Sequence, residues 1–313
     1  MGKLVVISLF VAALSAFLGE RIINLRKRTL ASRKLVQTHL PNCHPIKSLE
    51  YGSEDLTILP NGLAIISTAE SFLHFPDNSV YLFVVNHPQK KTQVEIFLFV
   101  EEDHSLVYVK TIKHEFLHSV NDIVAVGVES FYATNDHYFS GGTLNTLEVL
   151  LAQPWSNVVY YSPEEVKVVA EGFYMANGIN ISPDKRHIYV ADLFDHNIHV
   201  LERLESNGLA PVKVVEVGSL VDNIYVDPET GDLWIGCHPN GWKLFRNDPE
   251  DLPGSEVIQI KDIHSEKPVV TQVYADDGSV LIGSSVAAPY GGKLLIGTIY
   301  QKALVCDLAK VDQ

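Results

Sequence analysis

Three stretches of the chain place Asn or Asp just ahead of an alternating apolar run. Asn121-Asp122 precedes Ile123-Val124-Ala125-Val126, Asn177-Gly178 precedes Ile179-Asn180-Ile181, and Asp222-Asn223 precedes Ile224-Tyr225-Val226. After a turn, each run leads to a second strand-like segment, at Phe131 to Asp136, His187 to Asp192 and Asp232 to Gly236. Carboxylate and carboxamide oxygens are hard ligands. They suit Ca²⁺ at about six to eight coordination and suit zinc or copper poorly. Taken singly, such residues are ordinary turn formers. Recurring at the start of equivalent units, they could share one cation. Glu54-Asp55, within Gly52-Ser53-Glu54-Asp55, could add two carboxylates from an earlier unit.

A second motif looks sharper and carries less. His114-Glu115-Phe116-Leu117-His118 matches H-E-x-x-H, a zinc-hydrolase signature that needs a helix to bring both imidazoles to one face. The flank Leu106-Val107-Tyr108-Val109-Lys110 alternates like a strand, and Asn121-Asp122 follows at once, so a strand end and loop is the expected reading. His87 in Asn86-His87-Pro88, His137 after Asp136, and His238 in Cys237-His238-Pro239 read individually as loop histidines. There is no G-x-S-x-G elbow, P-loop or dinucleotide fingerprint, which disfavours a serine hydrolase.

The elements that must position these residues are short strands. Runs rich in Val, Ile, Tyr and Phe, bounded by Gly, Pro, Asn and Asp, are predicted at 62–67, 80–85, 94–100, 106–112, 123–128, 158–161 and 166–170. They continue at 187–191, 198–202, 212–217, 232–236, 242–246 and 294–300, with turns at Pro183-Asp184, Pro228 to Gly231, Pro239-Asn240-Gly241 and Asp276-Asp277-Gly278. Gly142 to Gln153 could form one short helix or a lid. The repeat units start 56 and about 46 residues apart, counted between Asn121, Asn177 and Asn223. That period, with about four strands per unit, marks an all-β propeller whose innermost strands begin at the central channel.

Composition agrees with a folded, acidic protein. Lys and Arg number 24 against 38 Asp and Glu, a net charge of −14, which excludes a nucleic-acid binder. Hydrophobic residues make up 46% and charged residues 20%, against a disordered chain. Residues 4–18 are apolar or small, Lys3 precedes them, and Arg21, Arg26, Lys27 and Arg28 follow. With no clear small-x-small cleavage site, residues 1–40 read as a retained signal anchor plus a basic amphipathic helix over 21–34, and 41–313 as the propeller. This leader sends the chain into the secretory route. Of the three cysteines, Cys43 and Cys306 lie near the two ends of the globular part. They could pair and leave Cys237 free, or all three could remain reduced.

With these stretches in view, the chain resembles the paraoxonases, a family of calcium-dependent lactonases and arylesterases. The resemblance rests on Gly52-Ser53-Glu54-Asp55, Val84-Val85-Asn86-His87-Pro88, Val120-Asn121-Asp122-Ile123, Thr134-Asn135-Asp136-His137-Tyr138-Phe139, Ala176-Asn177-Gly178-Ile179, Leu220-Val221-Asp222-Asn223 and Gly236-Cys237-His238-Pro239-Asn240. Leu18-Gly19-Glu20-Arg21 and Tyr81-Leu82-Phe83-Val84-Val85 most resemble a membrane-associated branch. The resemblance implies a six-bladed β-propeller, a Cys43–Cys306 disulfide, a retained leader and two Ca²⁺ ions in the tunnel. It implies Glu54, Asn121, Asn177, Asp222 and Asn223 around a catalytic ion, and Asp55 and Asp122 around a structural one. His87 would match the second member of a catalytic His pair, with Asp222 as an alternative base. The implied substrates are lactones and aryl esters. The implied surroundings are a membrane or lipoprotein surface met through the N-terminus, in a secreted or membrane-associated glycoprotein. The one N-glycosylation sequon, Asn180-Ile181-Ser182, lies in an inner-strand context.

The chain departs from the family in one place. Between Asn61-Gly62-Leu63-Ala64 and Tyr81 the family carries a long segment containing Pro-His-Gly-Ile, with the first His of the pair and a carbonyl ligand of the structural ion. Here only residues 65–80 lie between, and His74, in Phe72-Leu73-His74-Phe75-Pro76, does not match it. The missing length is on the order of one blade, so the six-bladed ring is expected to be incomplete or distorted. A catalytically impaired, membrane-anchored calcium-binding propeller is the alternative expectation.

Overall fold

A computed structural model of the chain describes residues 2–47, 49, 52–59, 61–67, 70–74, 79–300 and 302–308. Helix α1 (Gly2–Arg28) is followed by β1 (His44–Pro45), β2 (Asp55–Ile58) and β3 (Ala64–Ser67). Then come β4 (Glu70–His74), β5 (Val80–Asn86), β6 (Gln93–Val100) and β7 (Ser105–Ile112). The next sheet holds β8 (Val120–Gly127), β9 (Ser130–Asn135), β10 (Ser156–Tyr161) and β11 (Val166–Phe173), with α2 (Gly142–Leu151) between β9 and β10. It is followed by β12 (Ala176–Ile181), β13 (His187–Asp192), β14 (Asn197–Arg203) and β15 (Leu209–Glu216). Strands β16 (Leu220–Val226), β17 (Leu233–His238), β18 (Ser255–Lys261) and β19 (Val269–Asp276) come next, with α3 (Gly241–Arg246) after β17. The last strands are β20 (Ser284–Tyr290), β21 (Lys293–Thr298) and β22 (Leu304–Asp307).

Among the described residues these strands form a propeller with five four-stranded antiparallel sheets. Four are consecutive meanders, β4–β7, β8–β11, β12–β15 and β16–β19. The fifth takes β20–β22 from the C-terminus and β1 from the N-terminus, His44 pairing with Val305. The Cys43–Cys306 disulfide lies beside that pairing and fastens the chain ends, while Cys237 is a buried free thiol. Six equal blades are not what the structure shows. The remaining sheet among the described residues is the two-stranded β2–β3, packed between β20 and β4.

Buried Val, Ile, Leu, Phe and Tyr fill the gaps between sheets, as in the cluster of Tyr189, Ile198 and Val200 against Val221, Ile224 and Ile235. Two sequence expectations need correction. Residues 242–246, read as a strand, lie in α3, because the Asn240 side chain accepts a hydrogen bond from the Lys243 amide and starts a helical turn. Strands β18, β19 and β20 occupy a stretch where no strand was expected. Their Ser, Pro, Gln and Thr residues dilute the apolar alternation, and pairing with β17 and β21 decides their conformation.

The leader also differs from expectation. One continuous helix runs to Arg28, and Arg28 at its end and Arg33 beyond it face the propeller. Arg28 stacks over the Tyr174 ring at 3.5 Å and donates to the Phe194 carbonyl, and Arg33 forms a two-pronged pair with buried Glu256 at 2.6 and 2.8 Å. Leu25 and Leu30 pack against Met175, Leu193, Phe194 and Leu220. Residues 4–18 of α1 are exposed along their length, and the helix is long and apolar enough to cross a membrane.

Candidate metal and active site

Five of the seven predicted oxygen ligands, Asn121, Asp122, Asn177, Asp222 and Asn223, lie in the first strands of their sheets at a repeated irregularity in the pairing; Glu54 precedes β2, and Asp55 begins it in regular pairing with Ser67. In β8, Val120 pairs with Asn135 and Ile123 with Ala133, so Asn121 and Asp122 together face the single residue Thr134. In β12, Ala176 pairs with Asp192 and Ile179 with Val190, setting Asn177 and Gly178 against Ala191. In β16, Val221 pairs with Cys237 and Ile224 with Ile235, setting Asp222 and Asn223 against Gly236. Two residues against one is a β-bulge, which bends the strand and re-aims its side chains. The pairing of β20 is also irregular between Ser284 and Val286, at Ser285.

The bulges are stitched to one another. Asp122 Oδ2 accepts the Ile179 amide of the next sheet at 2.8 Å, and Thr134 Oγ1 donates to the Asn177 carbonyl at 2.6 Å. Asn223 Nδ2 and Ser285 Oγ both donate to the Glu54 carbonyl, at 3.0 and 2.6 Å. Two glycines permit the close approach of these strands. A Cβ on Gly178 would stand 2.5 Å from the Asp222 carbonyl oxygen, and one on Gly236 would stand 2.0 Å from the Ser285 carbonyl carbon.

Electrostatics shows which acids are neighbours. Glu54 is pushed well above the usual carboxylate range, first by burial and then by the charges of Asp222, Asp55 and Asp122. Asp122 is pushed up by burial and by Asp55, although the Ile179 and Ile123 amides pull it back. Among the described residues, no three His, Cys, Asp or Glu side chains make a ready cage for a metal. Carboxamides would have to complete any cation site, and two are suited to it. The Asn121 and Asn177 Oδ1 atoms are buried without a hydrogen-bond donor. Buried acceptors without partners are costly, and carboxylates gathered in one place repel. A hard divalent cation would relieve both penalties, so the donor set fits Ca²⁺. Asp55 and Asp122 line a channel of about 340 Å³ that continues past Ile179, Ile224 and Tyr225.

The histidines sort differently. His87 lies exposed in the turn after β5, its Nδ1 3.2 Å from Thr92 Oγ1. His114 and His118 occupy the loop between β7 and β8, so the zinc signature has no helix. His118 Nε2 meets the His137 carbonyl oxygen at 3.0 Å. Burial lowers the affinity of His137 for a proton, but Asp136, 2.8 Å away, outweighs it and the net shift is upward. His238, read as a loop residue, ends β17 in the interior. Its Nε2 stands 2.9 Å from Asp222 Oδ2, and both side chains are 3% exposed. It reaches Asp222 across the β16–β17 hairpin, where the bulge at Asp222-Asn223 shifts the register, so sequence spacing alone does not announce the contact. Asn180 donates from Nδ2 to the Ile224 carbonyl at 2.7 Å, so the fold engages the sequon asparagine internally.

The Arylesterase family profile matches residues 34–76 and 69–308. The chain belongs to this family. Serum paraoxonase/arylesterase 2 of Homo sapiens is 53% identical over 355 residues, covering 98% of this chain and 100% of that protein. The same-named protein of Gallus gallus is 49% identical over 358 residues, with the same coverage of each. Serum paraoxonase/lactonase 3 of Mus musculus is 47% identical over 355 residues, again with 98% and 100% covered. A gluconolactonase from Xanthomonas campestris superposes with a TM-score of 0.47 at 11% identity, over 88% of this chain and 98% of the other. The paraoxonase alignments run longer than the 313 residues of this arylesterase-family chain, and the family profile breaks at 69–76, beside the two-stranded sheet.

Proposed function

We propose that this protein is a calcium-dependent hydrolase of lactones and aryl esters, working at the axial end of the propeller where the bulged strands meet. The reading is supported by the mutual charge repulsion of buried Glu54 with Asp222, Asp55 and Asp122, and by the unpartnered buried carboxamide oxygens of Asn121 and Asn177 in the adjoining bulged strands, in a chain of the arylesterase family. Glu54, Asn121, Asn177, Asp222 and Asn223 would hold the catalytic ion, and Asp55 and Asp122 a second. When bound, such an ion supplies an electrophile for the substrate carbonyl and its developing oxyanion. Water adds to the acyl carbon and gives its proton to a base. The acyl C–O bond then breaks, and the departing oxygen takes up a proton. Asp222 is the base candidate among the proposed ligands, and His87, exposed in the turn after β5, is the other candidate. The exposed apolar half of α1 would attach the enzyme to a membrane surface in the secretory route.

A second reading is favoured by the two-stranded sheet: a membrane-anchored calcium-binding propeller with impaired catalysis. The two readings part on one experiment. Purified full-length protein is assayed on an aromatic lactone and phenyl acetate, with and without chelator, beside Asp222→Asn. Hydrolysis that falls about 10²-fold or more in chelator and in the variant supports the hydrolase. Calcium binding by calorimetry with no turnover above Asp222→Asn supports the impaired propeller.

A further inference from the structure

The candidate centre contains a buried group with no role in the chemistry above. His238 closes β17, opposite Leu220 in the pairing with β16. It presents Nε2 to Asp222 Oδ2 at 2.9 Å. Its Nδ1 is buried without a partner, so Asp222 is the polar neighbour that the ring meets. The carboxylate needs such a neighbour. Asp222 sits in a bulge where the ladder is broken, so its side-chain direction is not fixed by regular pairing. His238 is fixed. Its segment is held by Gly236 against Ser285, and by Asn240, which caps α3.

We propose that His238 is the positioning residue for Asp222, its Nε2–H steering Oδ2 so that the carboxylate presents its other oxygen to the cation; this rests on the reading of Asp222 as a ligand. The 2.9 Å approach lies out of line, and Asp222 Oδ2 has no well-aligned donor. A small rotation of the carboxylate toward a cation would bring Oδ2 into line with Nε2–H. Hydrogen bonds that orient a ligand in this way typically govern metal affinity by about 10–100-fold.

The test is calcium affinity, measured by calorimetry and by competition with a chromophoric chelator on the full-length protein. Wild type is compared with His238→Gln, His238→Leu and His238→Asn, and thermal unfolding without calcium reports the fold of each. Gln carries an N–H near the position of Nε2. Asn is polar but too short to reach, and Leu has no donor. The expected result is near-native affinity for Gln and about 10-fold or greater weakening for Asn and Leu. Equal affinity across all four proteins overturns the positioning role while leaving the metal centre standing. Equal weakening in Gln and Asn also overturns it, by showing that the ring's shape matters rather than its donor. Absence of calcium binding in wild type overturns the underlying reading of the centre. Should the Leu variant not fold, the Gln and Asn pair decides.

Discussion

The sheet β16–β19 and the pair β2–β3 each carry carboxylates that feel one another's charge, and they are built in different ways. Asp222 stands on the inner strand of four, backed by β17, with buried His238 beside it. Glu54 and Asp55 stand at the head of a two-stranded sheet, held by neighbouring sheets. The Glu54 carbonyl accepts from Asn223 and Ser285, Ser53 Oγ donates to the Lys302 carbonyl, and the Ser53 amide bonds the Thr298 carbonyl oxygen. Leu56 is buried against Val286 and Ala288 of β20. A full blade carries its own ligands. The short unit borrows its rigidity from the sheet that the chain ends close together.

The largest way to break this comparison is to open that closure. Cys43 and Cys306 are separated by 263 residues, and a loop of that length implies stabilisation on the order of 5 kcal/mol. Cys306→Ser is expected to lower unfolding free energy by up to that amount. It should also weaken calcium binding more than the same loss placed in β16–β19, because the borrowed support goes first. Denaturant melts and calcium titration of Cys306→Ser and of Ile235→Ala in β17, compared per unit of lost stability, check this, and equal calcium loss would refute the dependence.

Next come paired truncations. Ile235→Ala in β17 and Leu56→Ala in β2 both empty buried sites, and each is expected to cost about 2–5 kcal/mol, Leu56→Ala at the lower end. The shallow sheet around Leu56 can collapse onto the gap, whereas the closely packed inner strands around Ile235 cannot. Urea melts that place Leu56→Ala above Ile235→Ala would reverse the comparison.

The smallest expected effect concerns a carboxylate in a full blade away from the short unit. Burial pushes Asp192 up to about 6, although its oxygens accept the Tyr174 and Met175 amides at 2.9 and 3.1 Å. A raised acid binds its proton better folded than unfolded. Its stabilising contribution is therefore full below the unfolded value of 3.8 and is lost as pH rises through about 6. That amounts to about 2–3 kcal/mol across the window. In chelator, Asp192→Asn should flatten the fall in stability between pH 4 and pH 7 in urea melts, and an unchanged slope would assign it to other groups.

The sequence made the repeat legible. Alternating apolar strands, turn residues at fixed offsets and the recurrence of Asn121, Asn177 and Asn223 are local patterns, and local patterns survive without coordinates. At 142–153, where a short helix or a lid was expected, the helix α2 (Gly142–Leu151) forms. The motif stretches also pointed to the arylesterase family, which the family profile shows. The strand predicted at 242–246 failed because a capping side chain outweighed β-propensity, and β18 to β20 were missed because their pairing partners stabilise them.

What the sequence determined by itself was the inventory: oxygen donors at repeat spacing, an apolar leader, cysteines near both ends and one shortened unit. Tertiary structure decided which of these meet. Bulges turned Asn121, Asp122, Asn177, Asp222 and Asn223 out of their ladders, pairing of β16 with β17 carried His238 to Asp222, and Arg28 and Arg33 turned toward the propeller. These outcomes depend on bulges that shift the register within hairpins and on side-chain contacts between elements, and register is set by the packing of whole sheets rather than by local pattern.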